Sequence, residues 1–134
     1  MMEKYAVWVL LCCFCVGMTS ACNLTASAPP PTPDLPTVRF VAPANNARIL
    51  QGTDLTVDIF AEDTGVGIAR VEFRVDGVPV GDGGPPHFGV EHRFRVQMNW
   101  LAGGIGAHVL SAIAYRPDGT PSDETFIVVE VVEA

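Results

Sequence analysis

Cysteine is absent beyond residue 22. All four cysteines, Cys12, Cys13, Cys15 and Cys22, crowd into the start of a 134-residue chain. Whatever folds downstream therefore has neither a disulfide nor a thiolate metal site, and must rest on an apolar core. Lysine is almost missing as well. Lys4 is the only one, and the remaining basic residues are arginines, outweighed by 15 acidic residues for a net charge of -7. Arg70, Arg74, Arg93 and Arg95 alternate with other residues along strand-like runs, which marks a solvated sheet face rather than a phosphate-binding stripe. An acidic chain repels a nucleic-acid backbone, so nucleic acid is excluded as a partner. No long membrane-spanning run is present either. Tyr5–Met18 is a 14-residue stretch without a charge, and as a helix it would reach about 21 Å, short of a hydrocarbon core of about 30 Å. Catalytic machinery is also lacking. Ser111 and Ser122 have no nucleophile elbow, and Gly103-Gly104-Ile105-Gly106 lacks the Lys-Ser/Thr and the helix of a phosphate loop. The expectation is no enzyme, no catalytic residue and no cofactor.

The first 36 residues carry address and spacing rather than fold. Residues 1–21 have the layout of a signal peptide, with a short polar start, the apolar run and then the small residues Thr19, Ser20 and Ala21. Residues 22–36 follow as Cys22 and a linker whose segment Ala26–Pro36 holds five prolines in eleven residues. Proline fixes φ and lacks an amide donor, so the segment favours extended polyproline II. At about 3.1 Å per residue it would hold a domain roughly 30 Å from its attachment point.

From Thr37 to Ala134 the pattern changes to short period-2 runs between turns, with no helical period. Seven strands are predicted: Val38–Ala42, Asp54–Glu62, Ile68–Val75, Val78–Val80, Val90–Met98, His108–Tyr115 and Glu124–Val132. Leu55, Val57 and Ile59 share one face, as do Val71, Phe73 and Val75, while Arg70, Glu72 and Arg74 take the opposite parity. Phe94, Val96 and Met98 fall in phase with His92, and Leu110, Ala112 and Ala114 with His108. The last strand is apolar on both faces, which leaves its phase open. Asp76-Gly77 sits between two valines and supplies the positive φ values of a two-residue hairpin turn. Pro79 marks the strand after it as an edge. Together these predict an all-β, two-sheet sandwich.

Several clusters invite chemistry. His87, His92 and His108 with Glu91 are the one set that could hold zinc. Glu91 and His92 are adjacent on a strand and so face opposite ways, and His108 is in phase with core residues, so no metal site is expected. Asp63, Asp76, Asp82 and Asp118 lie in turns without a dense Asp-x-Asp run, which predicts turn chemistry rather than calcium. Trp100, Tyr115 and Phe88 offer either a sugar-stacking platform or core and rim packing.

Two resemblances add to these observations. Ser20-Ala21-Cys22 behind an apolar run resembles the bacterial lipoprotein signal, in which the cysteine is diacylated on its sulfur and becomes the new N-terminus. Thr19 departs from the aliphatic residue usual there, and Glu3 dilutes the usual positive start. The resemblance implies lipidation of Cys22 and attachment to the outer face of the cell membrane. A cleaved secretory signal without lipid and an uncleaved anchor are the alternatives.

Val41-Ala42-Pro43-Ala44-Asn45-Asn46-Ala47, Gly52-Thr53-Asp54-Leu55-Thr56-Val57, the stretch from Ala61-Glu62-Asp63 through Gly67-Ile68-Ala69-Arg70-Val71-Glu72-Phe73-Arg74-Val75-Asp76-Gly77, and Gly106-Ala107-His108-Val109-Leu110-Ser111-Ala112 resemble the bacterial Ig-like domains of secreted enzymes and surface proteins. Asn46 stands where that family usually has glycine; asparagine tolerates the same turn. The resemblance implies an immunoglobulin-like sandwich over 37–134 that spaces, adheres or binds, with no catalytic residue. The expected function is a membrane-anchored, surface-exposed module for protein interaction or adhesion. The alternative is a carbohydrate- or cell-wall-binding module. The partner would be a surface protein or a glycan.

Overall fold

The computed structural model describes residue 28 and residues 34–87 and 89–134. The predicted signal helix, Cys22 and most of the proline-rich linker lie outside the described residues. Residues Thr32–Ala134 form one compact unit that carries its own core.

Eight strands build this unit: β1 (Thr37–Ala42), β2 (Ala47–Leu50), β3 (Asp54–Glu62), β4 (Arg70–Val75), β5 (Val78–Gly83), β6 (Arg93–Leu101), β7 (Gly106–Tyr115) and β8 (Thr125–Val132). They form two sheets, β1-β3-β6 and β2-β8-β7-β4-β5. The predicted two-sheet sandwich is therefore present, with eight strands in place of seven. The missed strand is β2. It has only four residues, and it pairs in parallel with β8, Ala47 opposite Val129 and Leu50 opposite Val132. Nothing within four residues announces a partner some eighty positions downstream. The β5 run is also longer than predicted, reaching Gly83, and β6 begins at Arg93 and continues to Leu101.

Parity places the core where the alternation predicts. Val57, Ile59, Val71, Phe73, Val75, Phe94 and Leu110 are buried in one cluster, with Leu55, Val96 and Met98 packed against it. The β8 phase is resolved by its register: Val129 faces His108 and Ile127 faces Leu110 across the ladder with β7, so Val129 and Val131 are buried and Phe126 points outward.

The predicted turns are made as their residues require. Asp76 and Gly77 have φ of 51° and 80°, and Asn46 has φ of 64°, the left-handed region that asparagine, aspartate and glycine enter most readily. The domain's upper end is tied by a charge cluster that local periodicity did not show. Arg116 Nε and Nη2 donate to the two carboxylate oxygens of Asp63, each at 2.8 Å. Asp63 also accepts from the amides of Gly65 at 3.1 Å and Gly67 at 2.9 Å. The same guanidinium donates to the carbonyl of Asp34, and Thr64 Oγ1 donates to the Asp34 carboxylate at 3.0 Å. With Pro36 fully buried, the last linker residues are docked on the sandwich.

Candidate functional site

The outer face of the three-stranded sheet is mainly polar and its charges are paired, with Leu101 at the end of β6 and Val41 on β1 as exposed apolar residues. Arg93 Nη2 donates to Glu62 at 2.6 Å, Arg95 pairs with Asp58, and Asn99 Nδ2 donates to Asp54 at 3.1 Å. Phe60, the residue that breaks the polar alternation of β3, lies under the Arg39 guanidinium at 4.7 Å. Such pairs occupy the side chains that would otherwise meet a ligand.

The outer face of the five-stranded sheet differs. Arg70 and Arg74 both pair with Glu72, whose carboxyl is held below its ordinary range mainly by the Arg74 hydrogen bond. Beyond this triad the surface turns apolar. Phe126 is 66% exposed and Val109 41%. Phe126 stands opposite Ser111, and Val109 opposite Val128, on adjacent strands. Ser111 lies in turn opposite Arg74, so Arg74, Ser111 and Phe126 form a row across three strands at about 4.8 Å spacing. An open groove of about 420 Å³ runs here, lined by Asp76, Gly77, Val109, Ser111, Glu124 and Phe126. A second recess of about 670 Å³ lies along residues 34–38 and 123–125, with carboxylates and no aromatic side chain in its lining.

The groove's lower wall is fixed by Asp76. Its carboxylate accepts from the Val109 amide at 2.9 Å and from His108 Nδ1 at 2.6 Å. The other ring nitrogen of His108 faces the Gly104 carbonyl. That carbonyl, and then Asp76, raise the His108 pKa, because two acceptors flanking one ring favour the doubly protonated form. Asp76 is lowered in turn, first by the Val109 amide.

The sequence-derived candidates are dispersed. Among the described residues no three His, Cys, Asp or Glu side chains come together in a metal-holding group. His87 is exposed, His92 Nδ1 contacts the Asp63 carbonyl at 3.1 Å, and His108 is bound to the β4–β5 turn. Asp63 and Asp118 cap amides of their own turns, the turn chemistry expected of them, whereas Asp76 accepts from Val109 on β7 and Asp82 lies within β5 rather than in a turn. Ser122 Oγ receives the Ala114 amide and donates to the Asp123 carbonyl, both at 2.9 Å, a structural clamp. Trp100 packs half-buried against the core, its ring 5.5 Å from that of His108. Tyr115, on the other sheet, lies 3.8 Å under the Arg70 guanidinium. These two rings share no platform, and Phe88 lies outside the described residues. Among the described residues the exposed aromatic is Phe126. The sequence reading missed it because the apolar-on-both-faces pattern of β8 does not say which residues are buried.

A family model described as "Bacterial Ig domain" matches residues 36–112. No curated protein matches the chain. Among solved structures, the fibronectin(III)-like modules of Clostridium thermocellum CbhA are 28% identical with a TM-score of 0.62, the match covering 73% of this chain and 99% of the module. The SrpA adhesin of Streptococcus sanguinis is 14% identical with a TM-score of 0.52, over 74% of this chain and 58% of the adhesin. An endo-β-1,4-mannanase of Thermotoga petrophila is 15% identical with a TM-score of 0.53, over 74% of this chain and 20% of the enzyme. The last two show the sandwich fold alone.

Proposed function

Because the chain belongs to the bacterial Ig domain family, we propose that it is an accessory module that binds carbohydrate or cell-wall polymer at the bacterial surface. It is non-catalytic, as its family and its likeness to a fibronectin(III)-like module indicate. The observation that carries the proposal is the exposed Phe126 ring in the groove of the five-stranded sheet. A sandwich of the same fold forms about a fifth of a mannanase and over half of an adhesin; the exposed Phe126 ring is what favours carbohydrate over the protein-adhesion role that the sequence put first. Fold does not set function by itself, and the site must supply it; the five-stranded sheet offers an exposed apolar groove with polar edges. Retention of the compact unit, residues 32–134, on insoluble cell-wall material and on insoluble polysaccharide tests the assignment. Failure to bind any of them would remove it.

The proposal includes the organisation expected from the sequence: residues 1–21 removed as a signal peptide, residues 22–36 as anchor and spacer, and residues 37–134 as the module. Lipid on Cys22 would hold the module at the outer face of the membrane. Two acyl chains give stable attachment where one is marginal. Cys22→Ser should abolish fatty-acid labelling and shift the protein from the membrane to the soluble fraction or leave it unprocessed. Labelling that persists in the serine variant would rule out this anchor.

A further inference from the structure

We infer that the groove on the outer face of the five-stranded sheet holds a sugar ring of a neutral polysaccharide, its apolar face on Phe126 and its hydroxyls on Ser111 and Glu124. The inference rests on the carbohydrate-binding proposal above and locates its site. Phe126 is 66% exposed near the start of β8, beside β7, although burying an aromatic ring is among the larger gains available to a small domain. An exposed aromatic beside hydrogen-bonding groups suits a ligand that is apolar on one side and polar at its rim. A pyranose ring meets that description: its C–H groups form one face and its hydroxyls point outward from the edge. Here the polar partners are close by. Ser111, only 3% exposed, lines the groove floor directly across from Phe126. Glu124, two residues before Phe126, lines the wall and can accept from adjacent hydroxyls.

Charge selects the class of sugar. The arginines of this face are already engaged, Arg70 and Arg74 with Glu72, and Arg48 with Glu130. The groove's own ionisable lining is acidic, Asp76 and Glu124, on a chain of net charge -7. A uronate or phosphate-bearing polymer would meet repulsion without a free guanidinium to offset it. A neutral chain of hydroxyls meets carboxylate acceptors, the Ser111 hydroxyl and the apolar ring of Phe126.

The test uses residues 32–134 and their Phe126→Ala and Phe126→Trp variants. Each is incubated with insoluble mannan, with cellulose, with peptidoglycan sacculi and with pectate beads, and the bound fraction is measured. Thermal melts run alongside should show Phe126→Ala folded, since the ring contributes little to the core. The expected result is retention of the unaltered module on mannan or cellulose, with affinity about tenfold lower for Phe126→Ala, the loss of one stacking contact. Phe126→Trp should bind at least as well as the unaltered module, and pectate should retain none. Equal retention of a folded Phe126→Ala would overturn the groove while leaving a carbohydrate-binding module in place. Retention on pectate or sacculi alone would overturn the neutral class. No retention on any support would remove the underlying function as well.

Discussion

Phe73→Ala should lower the free energy of unfolding by about 3–5 kcal/mol, a large share of what a domain of this size possesses. Phe73 is 0% exposed and is the largest of the fully buried side chains. Its neighbours along the sheet are small: Ala112 faces it from β7 and Gly81 from β5. That leaves the ring room to lie between the sheets, where it packs in the cluster of Val57, Ile59 and Phe94. Truncation would leave a cavity bordered by residues too small to fill it, on a backbone held on both sides by ladder hydrogen bonds. Arg74→Ala, one residue along and on the outer face, should cost much less, since its partner Glu72 retains Arg70. Urea melts of the two variants, run together, measure the difference. If Arg74→Ala proved the more damaging, the assignment of the two faces of β4 would be wrong.

Asp63→Ala should cost about 3 kcal/mol, because it removes the bidentate partner of Arg116, leaving that guanidinium only its Asp34 contacts, and frees two loop amides at once. Asp63 is 2% exposed. The Arg116 hydrogen bond, and then the amides of Gly65 and Gly67, lower its pKa to about 2 against burial, which pushes the other way. The sign follows from linkage. A carboxyl whose folded pKa lies below its unfolded value near 3.8 stabilises the fold fully above that unfolded value, and the contribution disappears as pH falls toward about 2. Unfolding measured from pH 6 down to pH 2 should therefore show a loss of stability below about pH 4, and Asp63→Ala should flatten that loss. An unchanged acid limb in the variant would show that other carboxylates set it. Gly67 belongs to the same loop: its φ is 95°, and a Cβ there would come within 2.5 Å of Val90, so the chain can turn back onto the Asp63 carboxylate only with glycine at that position.

What could be read from the sequence follows the range of each interaction. Strand alternation is local, so Leu55, Val57, Ile59, Phe73 and Leu110 identified themselves as core, and the charges of opposite parity as surface. The Asp76-Gly77 turn was legible for the same reason: two adjacent residues specify their own backbone geometry. Strand β2 was not legible, because its evidence is a parallel partner far away in the chain. Nor was the Asp63–Arg116–Asp34 cluster, whose members are separated by 53 and 82 positions and carry no spacing signal. Asp63 was expected only to serve a turn, and it serves both the turn and the long-range pair.

By itself, then, the sequence determined that this is an all-β sandwich without disulfides, with the charged strand residues of opposite parity, such as Arg70, Glu72 and Arg74, on the outer face and turns at Asn46 and Gly77, since each of those properties is encoded in neighbouring residues. Only the tertiary structure decided which side of β8 is buried. In a strand apolar on both faces, Phe126 and Val129 are equivalent until β7 pairs with it, and the register that sets Val129 beside His108 turns Phe126 outward. The exposed ring, and with it the groove, exists because sheet pairing can choose between two faces that hydrophobicity does not distinguish.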